Sequence, residues 1–151
     1  MTRAEHAAQL FYDGYNCAQA VAMAFADLTG MDQQYAAKMA SSFGGGMGRM
    51  REVCGAVSGM LLVAGLLYGY TEDVGTVKKE HYALVQNLAG QFREKTGSIV
   101  CREILKNPPS DPVPSARTEE YYANRPCVRM VYLAASILEE YIIENPPCNG
   151  N

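Results

Sequence analysis

Val53-Cys54-Gly55-Ala56-Val57-Ser58-Gly59-Met60-Leu61-Leu62-Val63-Ala64-Gly65-Leu66-Leu67-Tyr68-Gly69-Tyr70-Thr71 carries no charge, nineteen residues held between Glu52 and Glu72. That is close to the roughly 20 residues a membrane-spanning helix needs. Its Gly55-x-x-x-Gly59 and Gly65-x-x-x-Gly69 spacings suit close helix approach. The same run also describes the central helix of a bundle, apolar on every side because other helices surround it. Two features favour the bundle: four glycines dilute the hydrophobicity, and the flanking segments are amphipathic and able to wrap it. We expect a helix over 52–69, opened by Cys54, with all four glycines facing neighbouring helices.

Helix signals recur on both sides of this run. Thr2 with Glu5 three residues on is a capping-box pattern, and Gly14 stops a first helix over 3–13. Asn16 can cap a second, whose apolar stripe is Ala18, Val21, Ala22, Phe25 and Leu28 and whose stop is Gly30. Asp32 can cap a third over 33–43. Gly44-Gly45-Gly46-Met47-Gly48 then breaks the chain before the central run. A fifth helix is expected over 75–96, with Val77, His81, Leu84, Val85, Leu88 and Phe92 in register. Gly97 ends it, and Ser98 can cap a short sixth through Leu105.

The proline-rich stretch from Asn107 to Pro114 can be neither helix nor central strand, and reads as a surface crossing. One or two turns follow over 118–124. Pro126 suits the first position of a last helix with Met130, Val131, Ala134, Leu138, Tyr141 and Ile142 on one face. The expectation is an all-α, single-domain bundle of six to seven helices over 1–145 around a buried central helix, with 146–151 a loose tail.

A chain of 151 residues is long enough for one core and too short for two. With 48% hydrophobic and 19% charged residues it is no disordered segment. A net charge of −3 and the absence of any basic tract argue against a nucleic-acid partner. The start, Met1 to His6, has no apolar signal segment, so a cytoplasmic location without stable membrane insertion is expected. Five cysteines in a reducing compartment point to thiols, metal ligands or redox centres rather than a structural disulfide framework.

Four of those cysteines share a placement. Cys17, Cys54, Cys101 and Cys127 each fall in the first turn of an expected helix, where free N–H groups and the helix dipole favour a thiolate. Each alone could be a small buried hydrophobe. If consecutive helices run antiparallel, however, the second, fourth and sixth start at one end of the bundle, and the proline-rich crossing can return Cys127 there. No CxxC pair is present, so zinc-ribbon and thioredoxin-like signatures are missing.

Tyr15-Asn16-Cys17-Ala18-Gln19-Ala20-Val21, Phe43-Gly44-Gly45-Gly46-Met47-Gly48, Cys54-Gly55-Ala56-x-x-Gly59, Gly97-Ser98 with Cys101-Arg102-Glu103, and the late Cys127 resemble the C-GCAxxG-C-C family of redox-active proteins. The resemblance spans nearly the whole chain. It implies a small, mostly helical protein with four key cysteines and a redox role, and it names no substrate. Cys148 lies outside the pattern and receives no role.

Electrostatics narrows what four converging cysteines can be. A helix N-terminus stabilises one thiolate by roughly 0.3–1 kcal/mol, whereas two thiolates about 4 Å apart repel by about 4 kcal/mol at an effective dielectric near 20. The site must therefore be largely protonated, disulfide-bonded, or filled by a compensating metal. Dithiol/disulfide exchange or electron transfer with a redox partner protein is the leading reading, with Cys54 paired to Cys17 or Cys101. Arg102, Arg125 and Arg129 would add positive potential. Gly44, Gly45 and Gly46 would give access to Cys54, and Gly55 and Gly59 would allow close packing. A four-cysteine iron–sulfur cluster is the alternative, structural zinc the next, with the same four cysteines as ligands. A non-catalytic helical interaction module is a further alternative. His81 reads as a core histidine with its ring nitrogens satisfied, and the glycine loop lacks the Lys-Ser or Lys-Thr of a phosphate loop.

Overall fold

Caps and left-handed glycines fix where the chain turns. In the computed structural model, which describes residues 1–148, α1 (Arg3–Tyr12) begins with the Thr2–Glu5 capping box. α2 (Cys17–Ala24) repeats the device with Asn16 and Gln19. The expected second helix does not run on to Gly30. Phe25, at φ −113°, breaks it, and α3 (Ala26–Thr29) resumes before Gly30 turns left-handed. The Phe25 ring is fully buried, with the Arg3 guanidinium 5.3 Å from its centroid, so tertiary packing overrides local helix preference there.

Asp32 caps α4 (Gln33–Ala40) by accepting from the Gln34 and Tyr35 amides. A 3-10 turn, Ser41–Phe43, finishes it. The expected glycine break follows: α5 (Gly44–Met47) is a helical turn in hydrogen bonding only, since Gly45 and Gly46 are left-handed.

α6 (Gly55–Tyr68) packs against α2, α7 and α10 and is the central helix along its first half. Gly59 lets it close on α2, for a Cβ there would stand 2.7 Å from the Ala18 carbonyl oxygen. Gly65 and Gly69 do not face neighbouring helices as expected. Nothing lies within 4 Å of a Cβ at Gly65, and at Gly69 the nearest atoms belong to Gly65 itself. This end emerges from the bundle, with Leu66 47% exposed, and close approach is not required there. No helix among the described residues is long and apolar enough to cross a membrane.

α7 (Val77–Thr96) buries only Leu88, Ala89 and Phe92 and ends at left-handed Gly97. His81, on its projecting half, is no satisfied core histidine. It is half-buried, edge-on to the Tyr70 ring at 6.0 Å, and its Nδ1 has no hydrogen-bond partner. α8 (Cys101–Ile104) is a single turn, and α9 (Glu119–Asn124) is capped by the Thr118 hydroxyl. α10 (Cys127–Glu144) lies along α1. Pro126 is its cap rather than its first residue, which gives that place to Cys127. No strand forms among the described residues, although Val53 and Val100 make an isolated antiparallel bridge. Of the expected loose tail, 149–151 lie outside the described residues.

Candidate functional site

The Val53–Val100 bridge ties two distant cysteines by their backbones. The Cys54 amide donates to the Ile99 carbonyl at 2.7 Å, and the Cys101 amide to the Glu52 carbonyl at 2.6 Å. Cys54 then caps α6 while Cys101 opens α8 beside it. Cys17, opening α2, is drawn to the same place because Gly55 lacks a side chain: a Cβ at Gly55 would stand 3.0 Å from Cys17 Cβ. Gly46 plays the same part for Cys101, whose Cβ is 2.7 Å from where a Gly46 Cβ would be. Cys127 opens α10 from the far side. All four line one cavity of about 270 Å³. Cys148 is exposed and does not line it.

A family model described as "Putative redox-active protein (C_GCAxxG_C_C)" matches residues 15–141, a span that holds all four cavity cysteines and excludes Cys148. The chain belongs to the C-GCAxxG-C-C family. No curated protein and no solved structure matches it.

The four C-GCAxxG-C-C cysteines are free thiols in unequal surroundings. Cys127 is lowered to about 6: the neighbouring Cys17 thiol is the largest cause, outweighing burial, with help from the Tyr121 hydroxyl and the charges of Arg125 and Arg51. Cys17 moves the opposite way, well up, because the neighbouring Cys127 and burial both favour its protonated form. Burial pushes Cys54 up to about 12 despite the Ala56 and Val57 amides. Burial also raises Cys101, while the Arg51 guanidinium opposes it. One thiolate among three protonated thiols agrees with the repulsion between neighbouring thiolates.

The strongest mutual electrostatic effect is between Cys17 and Cys127, and the link from Cys54 to Cys17 or Cys101 stands as an expectation, all four cysteines being free. Helix parity leaves Cys127 least constrained, because the proline-rich segment precedes it. Among the described residues no group of three or more Cys, His, Asp or Glu is arranged to hold a metal ion.

Arginines enclose the cavity, but not all of those expected. Arg125 lines it, whereas Arg129 is exposed. Arg102 turns outward to Glu52 at 3.0 Å and the Met50 carbonyl at 3.2 Å. Its place is taken by Arg51, 4% exposed, with Nη1 3.7 Å from Cys101 Sγ. Arg117 stacks 4.1 Å above the Phe11 ring and donates to the Phe11 and Tyr15 carbonyls at 2.8 and 3.0 Å. The proline-rich crossing is strapped over the opening. Arg49 holds Asp111 and Ser115, and Arg51 Nε holds the Pro109 carbonyl at 2.9 Å.

Gly44, Gly45, Gly46 and Gly55 line the cavity, whereas Gly59 packs behind it against α2. Met47, Arg49 and Arg51 all adopt left-handed backbone at φ 65–68°, a conformation costing non-glycine residues roughly 1 kcal/mol or more each. Arg51, Arg117 and Tyr121 also line the cavity, and no motif in the sequence marks them. The one local sign of Arg51 is the pair of arginines at 49 and 51 directly after a glycine-rich turn.

Proposed function

We propose that this C-GCAxxG-C-C protein is a dithiol redox protein in which Cys127 is the attacking thiolate and Cys17 the resolving thiol. The observation that carries the reading is the asymmetry of that pair. Both thiols line one arginine-bearing cavity, where Cys127 is pushed down to about 6 and Cys17 well up. A thiolate beside a second thiol in an electropositive pocket is the arrangement that favours exchange.

The step balances with a disulfide as oxidant. Cys127 Sγ attacks one sulfur of the substrate disulfide, a new S–S bond forms, and the other substrate sulfur leaves with the electron pair. That leaving thiolate takes the Cys17 proton. Cys17 Sγ then attacks Cys127 Sγ, closing the internal disulfide and expelling the second substrate thiolate. The dithiol has lost two electrons and the substrate disulfide has gained them. A separate dithiol protein of the cytoplasm then returns the pair to its reduced state by the same exchange in reverse.

Incubation with oxidised glutathione tests this reading. Cys17→Ser should trap a stable mixed disulfide on Cys127, located by peptide mass mapping, whereas the unaltered protein should release glutathione and close its own disulfide. A mixed disulfide forming on Cys54 or Cys101 in preference to Cys127 would contradict it.

A further inference from the structure

We infer that the cavity beside Cys127 binds a small anion, a carboxylate or oxyanion group of the substrate, with Arg51 as its anchor. Arg51 is a buried guanidinium without a carboxylate. Its Nε is occupied by the Pro109 carbonyl and its Nη1 faces Cys101 Sγ. Its Nη2 is buried and has no partner. Leaving a buried charged donor unmatched costs more than an ordinary lost hydrogen bond, so the position calls for an acceptor.

Charge around the opening points the same way. The charged residues lining the cavity are Arg49, Arg51, Arg117 and Arg125, all cationic. Arg49 is matched by Asp111 at 3.2 Å. Among the described residues no carboxylate stands within 4.0 Å of the other three. A single thiolate leaves that set in surplus. Left-handed backbone at Arg51 adds a second sign that its placement is built rather than incidental. The volume, about 270 Å³, is of the order of a small-molecule site.

This inference rests on the dithiol reading for its location and narrows it. The disulfide reduced here is a low-molecular-weight one bearing an anionic group, which Arg51 holds while Cys127 attacks. The dithiol protein that resets the pair is a different encounter.

Two alkylating reagents of nearly equal size, iodoacetate and iodoacetamide, separate charge from reactivity. Each transfers its carbon to sulfur and expels iodide, and their rate ratio at one cysteine cancels the fraction of thiolate. Exposed Cys148 supplies the reference ratio within the same molecule. At low ionic strength the iodoacetate-to-iodoacetamide ratio at Cys127 should exceed that at Cys148 by at least about tenfold, as expected for one charge-assisted hydrogen bond. Arg51→Gln should bring it down to the Cys148 value, and Arg51→Lys should restore part of it. In the unaltered protein, acetate or sulfate should protect Cys127 from iodoacetamide. Protection by acetate assigns a carboxylate, and protection by sulfate alone an oxyanion.

Equal ratios at Cys127 and Cys148, or no protection by either anion, would overturn the anion site even if Cys127 reacts rapidly. Slow alkylation of Cys127 by both reagents with a raised ratio would instead count against the dithiol reading and leave the anion site standing. Should Arg51→Gln fail to fold, the protection experiment decides alone.

Discussion

Cys17 and Cys127, the first and last of the four cavity cysteines, displace each other's titration in opposite directions, Cys127 down and Cys17 up. α2 and α10 present them from opposite ends of the sequence, each at the first residue of its helix. Such a placement gives Cys127 two sources of stabilisation, a neighbouring donor and the positive end of an eighteen-residue helix.

Reactivity should follow that stabilisation. The alkylation rate of Cys127 by iodoacetamide should rise through a midpoint at about pH 6, well under the roughly 8.5 of an ordinary thiol. Cys17→Ala removes the leading cause and should move the midpoint upward, toward the ordinary range. Site-resolved mass spectrometry across pH 4–10 checks both (about six pH units brackets either outcome).

Stability should respond to alkali in the opposite sense. Cys54 is raised to about 12 by burial, so the fold favours its protonated form. That contribution is fully present below the unfolded thiol value of roughly 8.5 and is lost as pH rises toward the folded one. The urea midpoint should therefore fall progressively above pH 8.5 (about the unfolded thiol value). Cys54→Ala should flatten that fall, and an equally steep loss in Cys54→Ala would remove the explanation.

Glycines of the central helix should divide by position. Gly59→Leu overpacks the Ala18 and Val21 contacts and should cost about 1–3 kcal/mol or more. Gly65→Ala meets no atom within 4 Å and should stabilise by about 0.5–1 kcal/mol through helix propensity. Chemical denaturation of the two variants measures the contrast.

Arg117 should matter to the fold more than its charge suggests. It joins α1, the α1–α2 turn and α9 through two carbonyl bonds, its stacking on Phe11 and its place 5.3 Å from the Tyr121 ring. Arg117→Ala should cost about 2–3 kcal/mol. Arg117→Lys should recover little, because an ammonium cannot span both carbonyls while stacking.

Much of this architecture is legible in the chain. Thr2 with Glu5, Asn16 with Gln19, Asp32, Gly30 and Gly97 are local signals whose physics is complete within a few residues, and the helix ends fall where they indicate. Cysteines at helix starts are readable for the same reason. What escapes is set by contacts between distant segments. Nothing near Val53 announces its single bridge to Val100, since one pair of residues has no periodicity. Phe25 breaks its helix to satisfy packing rather than propensity. Arg51 sits in a left-handed backbone that its sequence does not advertise, and it is aimed inward where Arg102 points out. That Cys127 lines the same cavity as Cys17 depends on how the proline-rich crossing lays α9 and the start of α10 against α1 and α2, which no local rule sets.

The most direct test of the account is the order in which the cavity thiols oxidise. Fully reduced protein is given one equivalent of a small disulfide oxidant, quenched in acid, and mapped by non-reducing peptide mass spectrometry. A Cys17–Cys127 disulfide should form first, with Cys54 and Cys101 recovered as thiols. A first disulfide joining Cys54 to Cys101, or either of them to Cys17, would contradict the assignment of Cys127 as the attacking thiolate.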